Sequence, residues 1–184
     1  MHIQIETQGW KPLALALLMG APLSLPASAR AADNLRFSGG LVAEACSFRP
    51  GDEAIVLDQL EASSHYLYLN ARTVSKPFQI HLEGCDTSIS SFVTTRFSGN
   101  ENPALPGLLA LGGGSTAAGV AIGIETSRDN LVPLNVASDR QLLSNGANVI
   151  AFKAFIKAEP QAIVNRSITA GNFTATSIFM LNYP

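Results

Sequence analysis

The chain has 184 residues, of which 47% are hydrophobic and only 14% are charged. This length is typical of one domain with or without a leader, and the low charge argues against intrinsic disorder. With 12 Lys and Arg against 14 Asp and Glu, the formal net charge is -2. The chain therefore lacks the basic surplus of a nucleic-acid-binding protein.

The first 31 residues are predicted to be a signal peptide. Lys11 precedes a short apolar run at 12–20, and small-x-small motifs follow at 27–29 and 29–31. We therefore expect cleavage near 29–31. The apolar run is shorter than the roughly 20 residues that a membrane-spanning helix needs, and a buried N-terminal helix is the alternative interpretation.

Cys46 and Cys85 are the two cysteines of the chain, and both follow the leader. In the oxidising compartment that export implies, an even pair favours one disulfide. Closing a loop of about 40 residues would stabilise the fold by roughly 4 kcal/mol in the chain-entropy model. Two free thiols or half a metal site remain as alternatives, although no His lies at metal-motif spacing from either cysteine.

After the leader, alternation of apolar and polar residues predicts about seven short β-strands separated by turns. The segments with this pattern are 35–43, 78–82, 93–97, 120–124, 149–156 and 173–183. No segment has a long helical period with caps. The pattern is typical of an all-β, immunoglobulin-like sandwich. The Cys…Trp…Cys arrangement of true immunoglobulin domains is absent, because Trp10 lies in the leader.

The search for catalytic motifs finds none in the sequence. His81 falls on the polar side of its strand, so we expect it to face solvent. Ser115 follows three glycines but lacks the final glycine of a nucleophile elbow. The acidic residues are scattered, without a carboxylate pair spaced for acid–base chemistry. We therefore expect a protein that is not an enzyme and uses no cofactor or metal.

The two ends of the mature chain differ in a suggestive way. The last alternating strand runs to Tyr183 and Pro184, whereas an extra alternating segment at 35–41 precedes Cys46. An uncovered last strand exposes unpaired backbone groups and an apolar groove. A surplus strand at one end and a missing strand at the other suggest complementation between copies. Alternatively, residues 32–42 lengthen the first strand of a complete sandwich.

A set of short segments occurs in one specific order along the mature chain. The segments are 37–39, 78–85, 93–99, 117–124 and 171–175, and they are joined by Cys46, Cys85 and the penultimate Tyr183. Each is weak alone. Together they resemble the bacterial chaperone–usher pilins of the type 1 fimbrial kind over residues 31–184, a family with a glycine and a tyrosine at the places of Gly171 and Tyr183.

The resemblance implies an incomplete immunoglobulin-like β-sandwich that lacks its last strand. The domains would be a signal peptide at 1–31, a donor-strand extension at 32–44 and a pilin domain at 45–184. A periplasmic chaperone lends each subunit the missing strand, and the extension of the next subunit replaces it at an outer-membrane usher. The chain would be a structural subunit of an extracellular adhesive fimbrium, with other pilins and a tip adhesin as further partners.

The resemblance also implies residue roles on both sides of such a contact. The donor residues would be Leu35, Phe37, Gly39 and Leu41. Gly39 would sit where the donor backbone must come close, and the three apolar side chains would contribute roughly 5–9 kcal/mol before ordering losses. The acceptor residues beside the missing strand would be Gly171, Phe173, Ala175, Phe179, Leu181 and Tyr183.

Other functions compete with this interpretation. A pilus-associated adhesin that binds a host ligand would carry a separate lectin domain, for which the mature chain leaves no room. A copper–zinc dismutase-like enzyme needs several clustered histidines, whereas only two histidines follow the leader. A self-contained secreted immunoglobulin-like binding domain would fold as a monomer without a chaperone. Among pilins, the short segment before Cys46 favours a minor or adaptor subunit over a shaft subunit.

Overall fold

The computed structural model describes residues 43–52, 54–57 and 60–184. The predicted signal peptide and the predicted donor residues Leu35, Phe37, Gly39 and Leu41 lie outside the described residues. Among the described residues, no helix is both long enough and apolar enough to cross a membrane.

The described residues form nine strands and two short helices. The strands are β1 (Ser47–Phe48), β2 (Lys76–Cys85), β3 (Phe92–Ser98), β4 (Glu101–Asn102), β5 (Leu105–Leu109), β6 (Val120–Thr126), β7 (Gln141–Leu142), β8 (Gly146–Ala158) and β9 (Ile178–Asn182). The helices are α1 (Ser64–Asn70) and α2 (Pro160–Val164). The helices have seven and five residues. This is too few to show a clear helical period, so the sequence pattern does not predict them.

The strands form two sheets, and the prediction of an all-β sandwich is confirmed. The larger sheet has the order β1-β2-β8-β6-β5-β4, and the smaller has the order β7-β3-β9. All pairs are antiparallel. β2 and β8 form the longest ladder, in which Ile80 lies opposite Ile150 and Phe78 lies opposite Phe152.

The core lies between the sheets and follows the period-2 pattern of the strands. Val93, Thr95 and Phe97 of β3 point inward and are buried, whereas Phe92 and Arg96 are exposed. The Phe97 ring meets the Phe152 ring edge-on at a centroid distance of 5.0 Å. Aromatic pairs of this geometry add to the stabilisation that burial provides.

β6 departs from simple alternation, because both of its faces are buried. Ala121, Gly123 and Glu125 are buried in addition to the predicted inward residues Val120, Ile122 and Ile124. The outer face is covered by Phe155 and by Arg72, whose guanidinium carbon lies 3.7 Å from the Phe155 ring centroid. Arg72 also donates to the Glu125 carboxylate at 3.0 Å, which satisfies a charge that would otherwise be costly to bury.

Candidate functional site: an open groove beside the last strand

Among the described residues, the last strand, β9, pairs with another strand along one of its two edges. It pairs with β3 in a register that places Phe179 opposite Phe97 and Leu181 opposite Thr95. No strand among the described residues pairs with its other edge. Backbone groups along that edge are therefore available to an added strand.

The segment from Phe173 to Tyr183 is buried on one side and only in part. Its half-buried residues pack against the core and alternate with exposed ones; they are Phe173, Ala175, Phe179, Leu181 and Tyr183. On neighbouring β3, by contrast, the inward residues Val93 and Phe97 are at most 3% exposed. A core strand with incomplete cover on its inward face is what a missing neighbour produces.

The opposite margin of this groove includes the residues around β1. The Phe48 ring meets the Phe179 ring edge-on at a centroid distance of 5.6 Å. Partial burial raises the pKa of the Tyr183 hydroxyl above its ordinary value, and the nearby Glu44 carboxylate adds to the effect. Residues 44–48 therefore lie beside residues 179–183.

Sequence reasoning missed the residues of this opposite margin. Phe48 follows Cys46 by two positions, and this spacing on a short strand is the signal that could have found it. Ile55 and Leu57 are also half-buried against the same core, on either side of the exposed Val56. Their alternation covers too few residues to predict a strand.

The predicted disulfide between Cys46 and Cys85 is present, and this excludes the free-thiol and metal alternatives. It joins the residue before β1 to the last residue of β2. Next to it, the Asp86 N–H donates to the Ala45 carbonyl at 2.8 Å. Together these bonds fix one margin of the groove to the larger sheet.

Residues 172–183, which we call the groove strand, are also fixed at both ends. At the C-terminal end, the buried Ser90 hydroxyl donates to the Pro184 carbonyl at 2.9 Å. At the other end, Gly171 is exposed and lies close to the loop at Thr116 and Ala117. A Cβ on Gly171 would overlap the Thr116 hydroxyl and lie 2.9 Å from the Ala117 backbone nitrogen.

The side chain of His81, which we expected to face solvent, is partly exposed, at 26%, and it contacts a carboxylate. Its Nδ1 lies 2.6 Å from the Asp52 carboxylate, which also accepts from Arg49 at 3.1 Å. The hydrogen bond with His81 and the contact with Arg49 lower the pKa of Asp52, although burial acts against them. Within the described ranges, no three His, Cys, Asp or Glu side chains are grouped so as to hold a metal.

Comparison with known proteins assigns the chain and its fold to a family. A family model described as fimbrial protein matches residues 35–184. The chain belongs to this family. Its fold is the incomplete immunoglobulin-like sandwich of chaperone–usher pilins, and it is a pilin, a structural subunit of a fimbria.

Individual relatives agree with this assignment. The Fimbria A protein of Serratia marcescens is 30% identical over 93% of this chain and 95% of that protein. The fimbrial adapter PapK of Escherichia coli is 30% identical over 91% of this chain and 96% of that protein. The crystal structure of the P pilus rod subunit PapA is 23% identical, with a TM-score of 0.66 over 77% of this chain and all of that chain.

Proposed function

We propose that this pilin polymerises by donor-strand exchange. Residues 32–44 of one subunit fill the groove beside residues 173–183 of its neighbour. Before that exchange, a periplasmic chaperone occupies the groove, and an outer-membrane usher is where the exchange takes place. The observation that carries the proposal is the half-buried, alternating segment whose outer edge pairs with no described strand.

The dimensions of the extension suit the groove. An extended strand rises about 3.3 Å per residue, so the segment from Phe173 to Tyr183 spans about 33 Å. Glu44 lies beside Tyr183 of its own subunit. By the same measure the preceding residues 32–42 of the extension reach about 33 Å, the length of the groove. Leu35, Phe37 and Leu41 share one face of that strand, which would point into the groove while the opposite face stays in solvent.

The same arrangement suggests where the subunit acts. A strand added beside β9 would bury the inward face of β9 and satisfy its free edge, so assembly would complete the fold of each subunit. The polymer would be extracellular, at the bacterial surface. The short extension favours a minor or adaptor position, near a tip adhesin, over a position in the shaft.

A peptide experiment tests the proposal. The mature protein is refolded with a synthetic peptide of residues 32–44, and amide hydrogen exchange is followed along 173–183. We expect one bound peptide per chain and slower exchange in Ile178–Asn182. The control peptide carries Ser in place of Leu35, Phe37 and Leu41. Equal protection by both peptides, or none by either, would contradict the proposal.

A further inference from the structure

The groove strand is held in two different ways along its length. Residues 178–182 form a regular ladder with β3. The preceding residues 172–174 pair instead with the loop that connects β5 to β6. In this loop the Gly112 N–H donates to the Thr174 carbonyl at 2.7 Å, and the Thr116 N–H donates to the Asn172 carbonyl at 2.8 Å.

Two hydroxyls complete this pairing. The Thr116 hydroxyl accepts from the Asn172 N–H at 2.9 Å and donates to the Asn172 carbonyl at 3.2 Å. The Ser115 hydroxyl accepts from the Thr174 N–H at 3.1 Å and donates to the Thr174 carbonyl at 3.3 Å. Each hydroxyl thus satisfies both backbone groups of one residue, as a partner strand would do.

The pairing of Asn172 and Thr174 with the loop determines which backbone groups face the groove. In an extended chain, the N–H and C=O of one residue point to the same side, and those of the next residue point to the other side. Because Asn172 and Thr174 face the loop, the backbone groups of Phe173 and Ala175 face the open edge. Those are the groups that an added strand would bind.

The loop and the strand are shaped for this close approach. A Cβ on Gly112 would lie 3.0 Å from the Thr174 hydroxyl and 3.3 Å from the Thr174 carbonyl oxygen. Gly171 is confined more tightly, against Thr116 and Ala117. A side chain at Gly112 would push Thr174 away from the loop, and a side chain at Gly171 would push away the Thr116 hydroxyl.

We infer that Ser115 and Thr116 are positioning residues of the acceptor groove. They form a hydroxyl clamp that holds residues 172–174 extended before a donor strand arrives, and they keep the backbone of Phe173 and Ala175 directed at the open edge. The inference rests on the proposed donor-strand exchange. It implies that the loop between β5 and β6 of the same subunit holds residues 172–174 in place, whereas β3 holds residues 178–182.

The test compares three variants of the mature full chain. The first, Ser115→Ala with Thr116→Val, removes both hydroxyls. The second, Ser115→Thr with Thr116→Ser, keeps them. Ser127→Ala, at an exposed serine after β6, is the matched control. Amide exchange is measured along 172–182, together with the rate at which each protein captures the peptide of residues 32–44.

We expect the first variant to exchange about tenfold faster at Asn172 and Thr174 and to capture the peptide about tenfold more slowly. Exchange in Ile178–Asn182 should stay within about twofold. The hydroxyl-retaining variant and Ser127→Ala should behave like the wild type. Wild-type rates in the first variant would overturn the inference, as would faster exchange spread evenly over 172–182, since that indicates general destabilisation.

The two proposals fail in different ways. If the wild-type protein captures no peptide, donor-strand exchange is wrong, and with it the role of the clamp in capture. Exchange at Asn172 and Thr174 is measured without peptide, so it still shows whether the hydroxyls hold the strand. If the wild type captures peptide and the first variant captures it equally fast, only the clamp is wrong.

Discussion

The ring of Phe48 packs edge-on against the ring of Phe179 at a centroid distance of 5.6 Å. This contact joins β1 of the larger sheet to β9 of the smaller one on the open side of the sandwich. Phe179 also lies 6.5 Å from the Phe97 ring, which belongs to the aromatic core. Phe179 therefore belongs both to the core of its own subunit and to the surface that a donor strand would cover.

Replacing Phe179 by Ala should lower the free energy of unfolding by about 2 kcal/mol. This is less than a fully buried phenylalanine would cost, because Phe179 is half-buried. Its neighbour Ile178 is 68% exposed and points outward, so Ile178→Ala should change stability by less than about 0.5 kcal/mol. Urea unfolding measures both, and an effect of Ile178→Ala as large as that of Phe179→Ala would contradict this orientation of the strand.

Gly171→Ala should destabilise the chain by about 1–3 kcal/mol, because the new methyl group would force the strand away from the loop at Thr116 and Ala117. Gly113→Ala is the matched control, since a Cβ there meets no atom within 4 Å. Thermal unfolding measures the stability of both variants. A Gly171→Ala protein as stable as Gly113→Ala would refute the close approach.

Thr95→Val should stabilise the protein by about 1 kcal/mol. Thr95 is fully buried, and its hydroxyl has no hydrogen-bond partner among the described residues. Valine has nearly the same shape and carries no polar group to desolvate. Thr94→Val, on the outer face of β3, removes a hydroxyl that donates to the Asn182 carbonyl at 3.4 Å and should not stabilise. Denaturant unfolding that finds Thr95→Val less stable than the wild type would contradict this account.

Asp52 should make stability depend on pH in the acid range. Its pKa is lowered from 3.8 by the hydrogen bond with His81 and by Arg49. A carboxylate with a depressed pKa stabilises the fold above its unfolded pKa, and this contribution is lost as the pH falls from about 4 through the folded pKa. Asp52→Asn should therefore flatten the loss of stability below about pH 4.

The partner of Asp52 provides the control for this prediction. His81→Gln removes the largest cause of the lowered pKa, so it should flatten the loss of stability below about pH 4 in part, because Arg49 still lowers the pKa of Asp52. The double variant should be no flatter than Asp52→Asn, because His81 acts on this pH dependence through Asp52. A free energy of unfolding that falls as steeply below about pH 4 in Asp52→Asn as in the wild type would argue against the contact.

Much of this fold follows from patterns that are local in the sequence. Period-2 alternation predicts β2, β3, β6, β8 and β9, because each has one face toward a common core. The pairing of Cys46 with Cys85 follows from their even number after a predicted export signal. The partial burial of Phe173–Tyr183 agrees with the expectation of a strand without a neighbour.

Other features depend on residues that are distant in the sequence, and alternation cannot show them. Glu125 is buried with Arg72 and Ser75 as partners, which lie 53 and 50 positions away in the sequence. The hydroxyls of Ser115 and Thr116 bind backbone groups 56 to 59 positions away. Such pairs arise from the order of strands in the sheets, so only the three-dimensional structure shows them.

Mixing two blocked variants tests the central claim most directly. Gly39→Trp should prevent the extension from entering a neighbour's groove, and Ala175→Trp should fill the groove itself. We expect each variant alone to stay monomeric by light scattering, whereas their mixture should form a 1:1 dimer that grows no further. Polymers from either variant alone, or a mixture that stays monomeric, would contradict donor-strand exchange between residues 32–44 and the groove at 173–183.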